Sequence, residues 1–220
     1  MLEAHHPPLQ RGRKLSAWCR IWGICCSPAP FAPRNSAPLE IGRVKTFSEA
    51  VDVGVSTAEA LEIFDSLDTV NIDFMLGAWT GADFPTDHPL DGMLEAYHWH
   101  GKRFDNPEQV HPLVFKTLSG ATSSVNPCWI MPVASSLDRL PIPKSKAVGR
   151  IFQLCLLLFA THRSCARLRM TNYRGRESAT MIYDALPIND IFRKVNENTV
   201  LGIMDLKGVE QPFFFVLQRE

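Results

Sequence analysis

Apolar and polar residues alternate through the C-terminal third of the chain. In "ARLRMTNY" (166–173), Leu168 and Met170 alternate with two arginines and Thr171, so one face of an extended segment is apolar. Similar segments follow: "SATMIYDALP", "INDIFRKV", "TVLGIMDL" and "QPFFFVLQR". Turn-forming residues separate them at 174–175, 187, 196–198 and 207–208. The pattern predicts five sequential antiparallel strands joined by hairpins.

A helical period occupies the segment before the sheet. In "STAEALEIFDSL", apolar residues recur at helical spacing at positions 60, 61, 64 and 67. Ser56 and Glu59 have capping-box spacing, in which each side chain bonds the backbone N–H of the other residue. The pattern predicts a helix over residues 57–67.

The segment after this helix, "TVNIDFMLGAWTGADF", has short apolar runs divided by glycines, as in strands that bend or meet another backbone closely. A sheet that ended in an apolar strand such as "PFFFVL" would expose an edge that is open to aggregation. Closing the sheet removes that edge. The sequence therefore predicts a mainly β fold, a closed antiparallel β-barrel with an N-terminal helix.

A longer stretch around the G-x-W-x-G motif resembles a known family. "FMLGAWTGADFPTDHPLDGMLEAYHWHGKRFDNPEQVHPLVF" (74–115) closely resembles the GXWXG protein domain, and residues 166–220 resemble the domain of unknown function that habitually follows it. The G-x-W triplet is similar to that of the calycin and lipocalin barrels. The resemblance implies a lipocalin-like barrel, with a helix plus GXWXG domain at 47–120 and a β-meander at 166–220 that completes it.

Two segments do not fit this organisation. Residues 1–42 are rich in Pro, Arg, Cys and Trp and have no helical or strand period, which predicts a disordered or wrongly assigned extension. Residues 148–165 contain an apolar run of about ten residues, whereas a membrane span needs about 20. In the family that the chain resembles, a short lysine-rich link leads directly into "ARLRM". This favours a dispensable insertion from a retained intron and a fungal source, with a buried helix as the alternative.

Charge and cysteine content narrow the function. The 23 basic and 23 acidic residues cancel without a basic cluster, so nucleic acid is not a predicted partner. The apolar run in 148–165 is too short to span a membrane, so a membrane is not a predicted partner either. The six cysteines show no C-x-x-C pair and no metal-ligand spacing with histidine, which indicates reduced thiols in a cytoplasmic protein. The sequence has no glycine-rich phosphate loop, G-x-S-x-G or H-E-x-x-H motif. No cofactor is predicted, and nucleotide-driven and hydrolase chemistry are disfavoured.

Three residues are candidates for acid–base catalysis: His88, Asp91 and His111. His88 and Asp91 belong to "PTDHPLDG", whose Pro, Asp and Gly residues predict a loop. This loop joins the strand-like runs "GAWTG" and "HWHGKRF", which we expect to pair, so the loop should lie over the mouth of the barrel. An imidazole at that position could transfer protons or bind a ligand near neutral pH.

Eight residues are candidates for ligand contact, and several also have a structural interpretation. They are Trp79, Trp99, Lys102, Arg103, Tyr183, Asp190, Arg193 and Asp205. Trp79 is expected to close the barrel floor. Lys102 and Arg103, with His111, could form a cationic rim for a carboxylate or phenolate, or a solvated face. Asp190 or Asp205 is expected to pair with Arg193, either to fix the strand register or as an acid–base pair.

Two further histidines have a spacing that could hold a metal. On a strand, His98 and His100 would share one face and could chelate a metal with His88 or His111. The family that the chain resembles commonly lacks histidine at one or both of these strand positions. No metal site is therefore predicted.

Three functions remain open from the sequence. The first is a barrel that binds one small hydrophobic or aromatic metabolite, in fungal secondary-metabolite biosynthesis. The second is a cofactor-free cyclase, isomerase or dehydratase that acts on a polyketide-like or terpenoid-like substrate. The third is haem binding. A carbon-lined interior favours the first, two convergent titratable groups favour the second, and an isolated inward histidine favours the third.

Overall fold

The computed structural model describes residues 46–117, 120–129, 152, 156 and 158–220. The predicted extension at 1–42 lies outside the described residues, as does part of the segment 148–165. No helix among the described residues is both long enough and apolar enough to cross a membrane.

Strands make up most of the described part of the chain. The α-helices are α1 (Phe47–Val53), α2 (Thr57–Ser66), α3 (Ile72–Met75) and α4 (Met93–Ala96), and a 3₁₀ turn spans Pro127–Trp129. The strands are β1 (Asp68–Thr69), β2 (Gly77–Asp83), β3 (Trp99–Asn106), β4 (Gln109–Lys116), β5 (Thr122–Ser124), β6 (Ala166–Tyr173), β7 (Arg176–Tyr183), β8 (Ile188–Asn196), β9 (Thr199–Leu206) and β10 (Phe213–Arg219). The five predicted C-terminal strands correspond to β6 to β10.

Eight of the strands close into an antiparallel barrel. The order around the ring is β8, β7, β6, β4, β3, β2, β10 and β9, and β9 pairs back with β8. The short strands β1 and β5 add to β8 and β4. The predicted mainly β, closed antiparallel fold is confirmed. The expected pairing of "GAWTG" with "HWHGKRF" is also confirmed, because β2 pairs with β3.

Two capped helices cover one side of the barrel. Ser56 and Glu59 form the predicted capping box, and α2 begins at Thr57. A second capping box, Thr46 and Glu49, begins α1. Apolar residues of both helices pack against β8, β9 and β10 in a core cluster distinct from the one inside the barrel. The capping spacing and the apolar period thus predicted α2 correctly.

Aromatic rings meet inside the barrel. The rings of Phe104 on β3 and Phe192 on β8 are 5.8 Å apart between centroids, and Phe215 on β10 lies 6.3 Å from Phe192. Both pairs have the edge-to-face geometry that aromatic quadrupoles prefer. An eight-strand barrel has an interior just wide enough for its own side chains or for one small ligand. The size of each inward side chain therefore affects the space that is left for a ligand inside the barrel.

Trp79 lies at the end of the barrel where β2 begins and β10 finishes. Its indole Nε1–H donates to the carbonyl oxygen of Met75 at 2.8 Å, and the ring is fully buried. The Arg219 guanidinium stacks on this ring, with Cζ 4.3 Å from the centroid. The same guanidinium donates to the carbonyl oxygens of Leu76 and Phe74 at 2.9 and 2.6 Å. These contacts tie the last strand of the barrel to the chain that enters its first strand.

The second glycine of the G-x-W-x-G motif makes room for another tryptophan. A Cβ atom at Gly81 would lie 1.8 Å from the Trp99 ring. In β3, Gly101 has a φ of 153°, and a Cβ atom there would lie 1.9 Å from the carbonyl oxygen of Trp79. The two strands can pair this closely because neither glycine has a side chain. The glycine pattern had predicted such an approach.

Two described residues of the segment 148–165, Phe152 and Leu156, pack against the barrel. Leu156 is 1% exposed and belongs to the interior core cluster. The Phe152 ring lies 5.1 Å from that of Tyr97 and 5.2 Å from that of Phe115. The origin of the segment in a retained intron stays a prediction. Its deletion would remove these apolar contacts, which counts against the prediction that the segment is dispensable.

We expect Gly81→Ala to destabilise the fold by about 1–3 kcal/mol, because the new methyl group overlaps the Trp99 ring. The same substitution should cost much less in a Trp99→Leu background, where the smaller side chain leaves space for it. Urea unfolding of the two single variants and the double variant measures this coupling. An equal cost of Gly81→Ala in both backgrounds would show that the indole does not restrict position 81.

Candidate functional site

A buried ion pair crosses the interior of the barrel. The ammonium of Lys102 on β3 donates to Asp190 Oδ2 on β8 at 2.8 Å, and the two side chains are 4% and 1% exposed. The Lys102 ammonium also donates to the carbonyl oxygen of Pro112 at 3.3 Å. In the ring order, β3 and β8 are four strands apart in either direction. The pair therefore joins opposite walls of the barrel.

Aromatic rings surround the ammonium group of this pair. Lys102 Nζ lies 4.8 Å from the ring centroid of Phe215, 5.4 Å from that of Trp99 and 6.0 Å from that of Tyr183. A cation at these distances is attracted by the negative face of each ring, the more so where water is excluded. The charge of Lys102 is thus held by one carboxylate, one carbonyl and an aromatic surface.

Two polar atoms in this region have no hydrogen-bond partner among the described residues. They are Asp190 Oδ1 and Trp99 Nε1, and both are shielded from solvent. The Lys102 ammonium has three protons, two of which the described acceptors engage. A buried polar atom without a partner costs about 1–3 kcal/mol. The interior therefore presents one vacant acceptor beside two vacant donors.

Burial alters the acid–base properties of the cluster. Desolvation raises the pKa of the Asp190 carboxyl, although the Lys102 ammonium and, to a smaller extent, the Tyr183 hydroxyl oppose that shift. Burial, followed by the Asp190 carboxylate, raises the pKa of Tyr183 well above its usual value. Asp190 is therefore a stronger base than an exposed aspartate, while the Tyr183 phenol keeps its proton.

The loop that carries His88 and Asp91 is held by its own hydrogen bonds. Asp91 Oδ2 accepts from the backbone N–H groups of Thr86 and His88, both at 2.9 Å. The His88 ring is 5% exposed and lies 5.3 Å from that of Phe213. These contacts fix the loop against β10.

Both ring nitrogens of His88 have partners. Nδ1 accepts from the backbone N–H of Leu90 at 3.0 Å, so the proton of the neutral ring is on Nε2. Nε2 then donates to the carbonyl oxygen of Gln211 at 3.2 Å. Proton transfer by His88 would require one of these bonds to break, and the same bonds give the ring a structural role.

His111 lies with charged groups apart from the interior cluster. Its Nε2 is 3.3 Å from Asp105 Oδ2, and Asp105 also pairs with Arg103 at 3.0 Å. Burial, followed by the Arg103 guanidinium, lowers the pKa of His111, while Asp105 opposes the shift. The expected cationic rim of Lys102, Arg103 and His111 is therefore split, because Lys102 points into the barrel.

The predicted pairing of Arg193 with Asp190 or Asp205 is wrong. Asp190 pairs with Lys102, and Arg193 lies beside α2, with Cζ 5.2 Å from the Phe64 ring centroid. Residues three apart on a strand point to opposite faces, so Asp190 faces the interior and Arg193 does not. Asp205 lies opposite Asn189 in the sheet. Asn189 is four residues from Arg193 along β8, which separates the two positions by about 13 Å, too far for Asp205 to pair with Arg193.

The two histidines near the start of β3 are not placed as the chelation hypothesis requires. His98 precedes the strand with a φ of 58°, so it does not share a strand face with His100. His100 pairs with the Glu220 carboxylate. No group of three potential metal ligands occurs among the described residues. In the part of the chain that the structure describes, the geometry thus gives no support to chelation.

The comparisons with known proteins cover both halves of the barrel. A family model described as GXWXG protein matches residues 62–120, and one described as a domain of unknown function (DUF4334) matches residues 164–219. Most of the segment 148–165 lies between the two matches. The crystal structure of a protein from Thermomonospora curvata is similar, with 35% sequence identity and a TM-score of 0.54 over 74% of this chain and 86% of that chain. No curated protein matches the sequence.

We expect the stability of the protein to fall as the pH is lowered through about 6.5, the ordinary pKa of histidine. The pKa of His111 is lower in the folded chain than in the unfolded chain, so below that pH the unfolded state binds the additional proton. His111→Asn should reduce this dependence. Urea unfolding at about pH 7.5 and 5.5 measures it, with the exposed His98→Asn as control; an unchanged dependence in His111→Asn would contradict the assignment.

Lys102→Met alone should lower the free energy of unfolding by about 3–5 kcal/mol, because it leaves the Asp190 carboxylate buried without a counter-charge. Lys102→Met combined with Asp190→Leu should recover most of that loss, since well-packed apolar residues replace buried ion pairs at little cost. Denaturant unfolding distinguishes the variants. A double variant as unstable as Lys102→Met would mean that the fold itself requires the ion pair.

Proposed function

The chain belongs to the family of GXWXG proteins that carry the DUF4334 domain, and on that premise we propose that its barrel binds one small, largely apolar molecule. The ligand would lie between β3, β8 and β10, with its apolar surface against the rings of Trp99 and Phe215. Its polar group would face Lys102 and Asp190. Small binding sites of this kind are mostly apolar, with a few polar atoms that orient the ligand.

The observation that carries this proposal is the set of vacant hydrogen-bonding atoms inside the barrel. Asp190 Oδ1 and Trp99 Nε1 are buried and have no partner among the described residues. Buried polar atoms in proteins are nearly always hydrogen-bonded, so each exception calls for an explanation. A ligand with a polar group would supply the partner and remove the cost of leaving these atoms unpaired.

The ion pair itself supports a binding role. A buried salt bridge contributes little to stability compared with apolar residues of the same volume, since desolvation offsets the attraction of the charges. A lysine and an aspartate on opposite walls are therefore expected to serve something other than the fold. Orientation of a bound molecule is such a purpose, because it requires directional contacts in a fixed place.

The ligand we propose is a cyclic apolar metabolite with a carbonyl or hydroxyl group. A role in fungal secondary-metabolite biosynthesis, in the cytoplasm, fits such a ligand and stays a prediction. Haem binding has less support. Among the described histidines, His88 bonds Leu90 and Gln211, His100 pairs with Glu220, and His111 pairs with Asp105. The other two, His98 and His162, are exposed.

Calorimetric titration with 1-tetralone and with tetralin, which has the same ring system without the carbonyl group, tests the proposal. We expect both to bind, and 1-tetralone to bind roughly tenfold more tightly, as one good hydrogen bond predicts. In the variant with both Lys102→Met and Asp190→Leu, the preference for the ketone should disappear while tetralin still binds.

Arg167→Gln, an exposed position on β6, provides the control and should bind both compounds as the native protein does. Failure of either compound to bind the native protein, or an unchanged preference in the double variant, would refute this assignment of the barrel interior. Native mass spectrometry of the purified protein gives an independent view, because a retained metabolite adds a discrete mass.

A further inference from the structure

The interior ion pair of Lys102 and Asp190 has the groups needed for proton transfer as well as for binding. A carboxylate oxygen without a partner, Asp190 Oδ1, lies on the same carboxyl group that contacts the Lys102 ammonium at 2.8 Å. A base and a positively charged donor therefore lie side by side in the interior. Proton abstraction next to a carbonyl group requires this arrangement, with the base at the carbon and the donor at the oxygen.

We propose that the barrel catalyses proton transfer at the carbon next to a carbonyl group, with Asp190 as the general base and Lys102 as the donor to the carbonyl oxygen. This inference rests on the proposed binding of an apolar carbonyl compound between β3, β8 and β10. The reaction class is keto–enol isomerisation of a cyclic ketone. The proton acceptor is Asp190, a residue of the chain itself.

Lys102 Nζ and Asp190 Oδ1 are close enough to act on the same ketone, one at its oxygen and the other at its α-hydrogen. The carbonyl oxygen of a ligand that accepts from Lys102 Nζ is separated from its α-hydrogen by two carbon atoms. Asp190 Oδ1 is bonded to the same carbon as Oδ2, which already contacts Nζ. Trp99 Nε1 provides a second donor in the same region and has no other described partner. A ketone can therefore engage Lys102 and Asp190 together.

The step balances without an added reagent. The α-carbon to hydrogen bond breaks and the proton passes to Asp190 Oδ1. The electron pair of that bond forms a carbon–carbon double bond, and the carbonyl π electrons move to oxygen, where the Lys102 ammonium stabilises the enolate. Return of the proton from Asp190 to the same carbon, or to the far carbon of a conjugated system, regenerates the carboxylate.

The surroundings of the pair favour this step. Burial raises the pKa of Asp190, which makes the carboxylate a better base towards a weak carbon acid. Lys102 is 4% exposed, so its charge acts on an enolate with little screening by water. The rings of Trp99 and Phe215 exclude solvent from the ammonium and would contact the apolar part of the substrate.

Hydrogen–deuterium exchange of 1-tetralone tests the inference, because this ketone has one exchangeable methylene group next to its carbonyl. Proton NMR in deuterium oxide measures the loss of that signal. We expect the native protein to accelerate exchange at least about 100-fold over Asp190→Asn, the lower end of what general base catalysis contributes. Calorimetry of the same variant should still detect 1-tetralone, and Arg167→Gln should retain the native rate.

Each outcome separates this inference from the proposed function. Binding of 1-tetralone without faster exchange refutes the catalytic inference and leaves the binding proposal intact. Exchange that persists in Asp190→Asn refutes the assignment of the base, and failure of the native protein to bind the ketone refutes both. If circular dichroism shows that Asp190→Asn does not fold, Asp190→Glu replaces it. That variant moves the carboxylate by one methylene, and an unchanged rate in it also refutes the assignment.

Discussion

The contact between Trp79 and Arg219 holds the barrel closed where its first and last strands meet. Arg219 pairs across the sheet with Trp79, stacks on its ring and bonds the carbonyl oxygens of the two residues Phe74 and Leu76. Closure gives every strand two neighbours and leaves no exposed edge in the ring. It also encloses the interior, so that side chains from opposite walls can meet away from water.

The ion pair across the barrel depends on that enclosure. In water, two opposite charges about 4 Å apart attract by only about 1 kcal/mol, whereas in a protein interior the attraction is several times larger. Desolvation of both groups opposes this gain, and the rings of Phe215 and Trp99 compensate in part at Lys102. The Tyr183 hydroxyl interacts with the Asp190 carboxyl, yet Oδ1 has no hydrogen-bond partner among the described residues. The cluster therefore keeps unmet hydrogen-bonding capacity on both sides of the pair, at Asp190 Oδ1 and at Trp99 Nε1.

Local sequence patterns predicted the helices and strands, whereas the contacts within the site depend on how distant strands are arranged. The spacing of Ser56 and Glu59 was sufficient to place α2, and alternation was sufficient for β6 to β10, because both depend on neighbours in the sequence. The partner of Asp190 depends on which strands face each other after eight have closed, which no local pattern contains. Alternation along "INDIFRKV" was informative on one point. It places Asp190 and Arg193 on opposite faces of β8, which already argues against a pair between them.

The place of β10 in the ring also governs when the structure can form during synthesis. This strand, Phe213–Arg219, pairs with β2 on one side and β9 on the other. Until the ribosome has released the chain through Arg219, β2 and β9 each keep an open edge and the aromatic interior is accessible to solvent. Such distant pairing slows folding, and open edges in the meantime favour aggregation. The ring therefore cannot close until β10 is available to pair with both of its neighbours.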